Sequence, residues 1–106
     1  MIYSHAYSAS TLPPSTSAVL KYLYDFAHHK AFMVKSDGCY EYHMNHHEVL
    51  QAQDNNLRHL LEAKMVEALA NATVHEIGHH SIDHLSSEIK TACASVPVYS
   101  FESHPN

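Results

Sequence analysis

The shortness of the chain is the strongest constraint on its fold, because 106 residues can enclose only one hydrophobic core. Hydrophobic residues make up 45% of the sequence and charged residues 16%, which is typical of a globular protein and not of a disordered one. The sequence therefore predicts a single domain over residues 1–106.

The charged residues limit the classes of partner that the chain is expected to bind. Six Lys and Arg stand against eleven Asp and Glu, which gives a formal net charge of −5. Duplex phosphates are bound by concentrated basic patches, whereas the basic residues here are scattered, so a nucleic-acid partner is not expected. Protonation of the twelve histidines would reverse the sign of the net charge, so solubility and self-association should depend on pH.

The sequence contains neither a basic start followed by an apolar run nor a stretch of about 20 apolar residues. These features favour a cytoplasmic protein without a membrane span. In that compartment Cys39 and Cys93 are expected to be free thiols, and their wide spacing fits neither a redox CxxC pair nor a zinc knuckle. A disulfide between them stays open as an alternative.

The first half of the chain is predicted to form a helix and then a β-hairpin. Residues 1–15 lack a helical period and contain a double proline, so they are expected to be an extended arm. A helix is predicted over 17–29 because apolar residues recur there at steps of three and four. Asp37 and Gly38 form a tight-turn signal between apolar runs at 31–35 and 39–44, which predicts the hairpin.

The second half is predicted to be mainly helical. Asn45 and Glu48 form a capping signal at the start of a long apolar stripe, which predicts a helix over 45–71. After a break at 71–73, a shorter helix is predicted to end near Cys93, and residues 96–101 can add an edge strand beside the hairpin. The expected fold class is α+β, a mostly helical small domain with one β-hairpin.

One short motif indicates metal chemistry. His75, Glu76 and His79 spell HExxH, and in a helix the two histidines, four residues apart, share one face and can bind a single zinc ion. The glutamate between them can then act as a base toward a metal-bound water. If Thr73 instead caps that helix, the Glu76 side chain folds back on the Thr73 backbone N–H, and the two histidines border the apolar stripe.

Residues 74–80 resemble the active-site helix of zincin metallopeptidases, especially of the minimal zincins. The resemblance implies that His75 and His79 are zinc ligands and that Glu76 is the general base. A third ligand would come from His84 or from a distant His or Glu. His43, His46 and His47 form a second, weaker cluster, which can equally be exposed histidines at a helix start.

Two hypotheses about function follow. The first is a small, acidic, histidine-rich interaction or regulatory protein, of the kind encoded by phages or mobile elements. It would bind a partner protein, or associate with itself as a homo-oligomer, through amphipathic surfaces and its seven tyrosines. The alternative is a zincin-like zinc hydrolase that uses the HExxH segment.

Overall fold

A computed structural model describes residues 17–103 of the chain, and the predicted arm at 1–15 lies outside them. Its centre is a five-stranded mixed sheet with the strand order β1-β2-β3-β5-β4. The strands are β1 Val19–Asp25, β2 Lys30–Lys35, β3 Gly38–His43, β4 Ala72–Ile77 and β5 Val98–Ser103. The helices are α1 His46–Gln53, α2 Arg58–Ala70 and α3 Ser87–Cys93, with short 3₁₀ helices at Phe26–His28 and His79–Ile82.

The predicted hairpin is confirmed. Strands β2 and β3 pair in antiparallel register from Lys30 and His43 to Lys35 and Gly38. Gly38 has no positive φ, so the turn does not need its conformational freedom. Space is the reason for a glycine, because a Cβ there would lie 2.7 Å from Cε2 of the Tyr99 ring.

The prediction of a mostly helical domain with one hairpin is wrong. Residues 19–25 form β1, at the edge of the sheet, where a helix was expected over 17–29. The expected long helix over 45–71 is divided into α1 and α2, and the shorter helix is replaced at 72–77 by β4. The tail does form a strand, but β5 lies inside the sheet, parallel to β3 and antiparallel to β4.

Both faces of the sheet are covered, which gives three layers. Helices α1 and α2 pack on one face, where Met33, Tyr40, Leu61, Met65 and Phe101 belong to the buried cluster. Helix α3 and the residues before it pack on the other face, where Phe32, Val34, Ile82, Ile89 and Val98 are buried. We call these the α2 face and the α3 face.

Cys39 on β3 and Cys93 at the end of α3 form a disulfide across the core of the α3 face. Both residues are fully buried. The expectation of two free thiols is therefore wrong, since the two residues, far apart in sequence, are brought together by the packing of α3 on the sheet.

Candidate protein-binding groove

The HExxH segment is not helical. His75 and Glu76 lie on the exposed edge strand β4, and His79 begins the 3₁₀ helix that follows. Side chains alternate along a strand, so His75 lies on the α3 face with Ile77, whereas Glu76 lies on the α2 face opposite Tyr99. The shared helical face on which the zinc hypothesis depends is absent from this segment.

The three predicted zinc ligands also have different surroundings. The His79 Nε2 atom lies 2.9 Å from the Val96 carbonyl oxygen and 3.1 Å from that of Cys93. The His84 ring packs edge-on against His28, with the ring centroids 4.8 Å apart. Within residues 17–103, no group of three or more His, Cys, Asp or Glu is arranged to hold a metal ion.

The second histidine cluster is likewise dispersed. The His43 Nε2 atom contacts Oε1 of the buried Glu41 at 3.0 Å, at the end of β3. His46 and His47 are exposed in the first turn of α1. The zinc hypotheses therefore stay predictions without a supporting geometry in the described part of the chain.

A different feature, a groove between β1 and α2, brings together side chains that the sequence keeps apart. The Tyr24 hydroxyl donates a 2.6 Å hydrogen bond to Glu62 Oε2, which joins the end of β1 to the first half of α2. At the other end of β1, Val19 lies near Val66 and Ala70 in the second half of α2. The strand and the helix thus run side by side, and we call the space between them the β1–α2 groove.

The first end of the groove is mainly apolar. It holds a cavity of about 420 Å³. Val19 and Tyr22 line it from β1, Met33 and the buried Lys35 from β2, and Val66 and Leu69 from α2. Val66 is 45% exposed, so apolar surface at this end is open to solvent.

The second end is aromatic and charged. A cavity of about 430 Å³ begins at Tyr22, which it shares with the first, and continues along β1 to Phe26. The rings of Tyr24 and Phe26 stack there with centroids 5.6 Å apart. Charged walls come from Arg58 and Glu62 on α2 and from Glu88 on α3.

The tyrosines of the groove are harder to ionise than a free tyrosine, which is itself neutral at pH 7. Burial, reinforced by the hydrogen bond to the Glu62 carboxylate, raises the pKa of Tyr24 far above its usual value. Burial and the charge of Glu62 also raise the pKa of Tyr22. Both hydroxyls therefore remain protonated at neutral pH.

The backbone edge of strand β1 also borders the groove. Among the described residues it pairs with β2 on one side and has no strand on the other. Its register is interrupted between Val19 and Lys21, so Leu20 has no opposite residue and is 67% exposed. Strand edges present unpaired N–H and C=O groups, which can pair with another extended segment.

The groove was not predicted, because residues 17–29 were expected to form a helix. Tyr22 and Tyr24 are among the tyrosines expected to contact a partner, although nothing local in the sequence pairs them with α2. A stronger signal lay in Val19, Tyr22 and Tyr24, since β-branched and aromatic residues are favoured in strands.

No helix in residues 17–103 is long and apolar enough to cross a membrane. In comparisons with known proteins, the chain matches no protein-family model, no curated protein and no solved structure.

Proposed function

We propose that this chain is a binding module that takes up an extended segment of a partner protein in the β1–α2 groove. The observation that carries the proposal is the edge of β1, which no strand within residues 17–103 covers, beside a solvent-accessible apolar cavity. A segment that adds to a sheet edge gains affinity from main-chain hydrogen bonds and specificity from pockets for alternate side chains. The groove offers both elements on one side of the molecule.

The surface of the groove supports this mode of binding. Val66, which lines the first cavity, and Leu20 on β1 are large apolar side chains that are left exposed. Tyr22 and Tyr24 combine apolar area with a hydroxyl group, a combination enriched in protein interfaces. A bound strand would cover the two aliphatic side chains and pack its alternate residues against the rings.

Substitution of Val66 tests the proposal. Peptides that bind the wild-type chain are first selected from a phage-displayed library of random 12-residue peptides, and the Kd of the synthetic peptides is then measured by fluorescence anisotropy. In Val66→Glu a carboxylate replaces an apolar wall of the cavity, so we expect binding to weaken about tenfold, because an apolar side chain of the peptide would lose that contact and the carboxylate would lose water when the peptide covers it.

Leu60→Glu is the matched control. Leu60 lies on the same helix and is 51% exposed, close to the 45% of Val66, but it lines neither cavity of the groove. We expect its Kd to equal that of the wild type. Equal losses in both variants, or no selected peptide that responds to Val66→Glu, would refute the groove as the binding site.

A second copy of the chain is the competing occupant. Sedimentation equilibrium of the wild type and of Val66→Glu distinguishes the two cases. We expect both proteins to be monomers. A wild-type dimer that Val66→Glu dissociates would instead show that the groove binds another copy, and the partner-protein proposal would then be wrong.

A further inference from the structure

The two ends of the β1–α2 groove differ in charge, and this difference indicates the chemistry of the partner. The inference rests on the proposed function and concerns the second cavity, between Tyr22 and Phe26. Its charged walls are two carboxylates, Glu62 and Glu88, and one guanidinium, Arg58.

The guanidinium is already engaged by its own chain. Arg58 Nε donates a 2.7 Å hydrogen bond to the Ala52 carbonyl oxygen, and one terminal nitrogen donates at 2.9 Å to Asn55 Oδ1. Both acceptors lie at the end of α1 and in the turn after it. These bonds hold the guanidinium toward α1, so it is only partly available to the cavity.

The carboxylates, in contrast, lack a cationic contact. Glu62 accepts a hydrogen bond from the neutral Tyr24 hydroxyl, and Glu88 is exposed on the first turn of α3. Within residues 17–103 neither forms a salt bridge. The cavity therefore carries net negative charge beside the rings of Tyr22, Tyr24 and Phe26.

Such a cavity complements a cationic side chain. A Lys or Arg of the partner would have its charge next to Glu62 and Glu88 and its aliphatic stem against aromatic rings, whose faces also attract cations. The net charge of −5 favours the approach of a basic segment in the same way. The first cavity is lined by the apolar Val19, Met33 and Val66 and by the cationic Lys35, so it complements an aliphatic side chain and not a second basic one.

We infer that the partner segment is an extended peptide with a Lys or Arg in the second cavity and an aliphatic residue in the first. The second cavity is lined from both faces of the sheet, by Tyr22 and Tyr24 on the α2 face and by Leu23 and Glu88 on the α3 face. It therefore reaches the edge of β1, where an added segment would lie.

The selected 12-residue peptides test this inference. Among peptides whose binding is lost in Val66→Glu, we expect both a Lys or Arg and an aliphatic residue to be enriched over the unselected library. For one such synthetic peptide, replacement of its basic residue by Gln should raise the Kd about fivefold, as expected for a partly exposed ion pair.

A charge reversal in the protein identifies the cavity involved. In Glu88→Lys we expect the Kd of the basic peptide to rise about fivefold, whereas the Kd of its Gln counterpart stays within about twofold. Glu67→Lys is the matched control, because Glu67 is an exposed residue of α2 that lines neither cavity. Glu67→Lys changes the net charge of the protein by the same amount as Glu88→Lys, so it controls for the long-range attraction between the protein and a basic peptide.

The outcomes separate this inference from the proposed function. Peptides that respond to Val66→Glu but show no basic preference would overturn the inference and leave the groove as a binding site. Equal effects of Glu88→Lys and Glu67→Lys would overturn it as well. If no selected peptide responds to Val66→Glu, both the inference and the proposed function are wrong.

Discussion

Glu48 connects three elements through one buried carboxylate. Its side chain is 2% exposed, accepts a 2.6 Å hydrogen bond from the Tyr42 hydroxyl on β3 and forms an ion pair with Lys64 on α2. The same side chain accepts a hydrogen bond from the backbone N–H of Asn45, and the Asn45 side chain accepts one from the backbone N–H of Glu48. Burial disfavours the charged form, but these donors outweigh it and hold the pKa of Glu48 below its usual value.

We expect Glu48→Gln to lower the free energy of unfolding by about 2 kcal/mol at neutral pH. Glutamine has nearly the same shape and can still accept the Asn45 N–H. It cannot neutralise Lys64. Its NH₂ group would also place two hydrogen-bond donors where the Tyr42 hydroxyl and the Lys64 ammonium group already donate. Urea denaturation followed by circular dichroism measures the difference.

Glu67→Gln provides the comparison, because Glu67 is exposed on α2 and its replacement should change stability by less than about 0.5 kcal/mol. If Glu48→Gln were as stable as Glu67→Gln, the interactions of the buried carboxylate would contribute no net stability.

The Glu48 capping box was predictable from sequence, since Asn45 and Glu48 have the required spacing. The contacts with Tyr42 and Lys64 were not, because they depend on tertiary packing.

The two strands that were predicted as helices, β1 and β4, share one physical cause. In a sheet covered on both faces, apolar residues occur on both sides of a strand, so strict alternation is lost. On β4, Val74 packs on the α2 face and Ile77 on the α3 face, which produces the three-residue spacing of a helix. On β1, the bulge at Leu20 shifts the alternation by one residue and produces the same effect.

The hairpin was predictable because its signals are local. A two-residue loop at Ser36 and Asp37 joins paired strands, and polar turn residues between apolar runs indicate this arrangement. The division between α1 and α2, in contrast, follows from the turn at Asp54, whose carbonyl oxygen accepts hydrogen bonds from the N–H groups of Leu57 and Arg58. The apolar stripe of the two helices gave no sign of that turn.

Helix α3 is short, at seven residues, and the disulfide fixes its C-terminal end to β3. We expect the Cys39→Ala/Cys93→Ala variant to be less stable than the oxidised wild type by about 4 kcal/mol. The bond closes a loop over a sequence separation of 54 residues, and a cross-link of that length restricts the unfolded chain. The measurement is urea denaturation without reductant.

Reduction of the wild type serves as an independent check. A phosphine reductant should lower the stability of the wild type toward that of the double variant and leave the double variant unchanged. Identical unfolding midpoints of the wild type with and without the reductant, together with two thiols titrated in the unfolded protein, would show that the bond does not form. Disulfides persist mainly in oxidising surroundings, so this result also bears on the expectation of a reducing compartment.

At the scale of the whole molecule, the candidate site was less predictable than the fold. The groove needs β1 at the sheet edge, α2 beside it and α3 behind it to supply Glu88, so its residues come from three separate parts of the chain. The motif from His75 to His79 was predicted as a site because a short motif can be recognised without knowledge of the fold. The topology then places His75 and Glu76 on opposite faces of a strand.

The dependence of stability on pH tests the buried carboxylates of the molecule together. Asp25, at the end of β1, is buried, which disfavours its charged form. Hydrogen bonds from the His28 side chain and the backbone N–H groups of His28 and Ser86 outweigh burial and lower its pKa. Glu48 is shifted in the same direction.

Because both values are lower in the folded state, the unfolded chain takes up protons first as the pH falls. The stability that Asp25 and Glu48 contribute is therefore fully present above their ordinary pKa values of 3.8 and 4.5. It decreases below these values and is lost once the carboxylates of the folded protein are protonated. We expect the urea midpoint of the wild type to fall steeply below about pH 4.5. The Asp25→Asn/Glu48→Gln variant should start lower at neutral pH and show a flatter decline, since the groups that bind these protons are gone. Parallel profiles in the two proteins would show that other carboxylates cause the loss of stability in acid, and that the links from β1 to α3 and from β3 to α2 do not depend on charge.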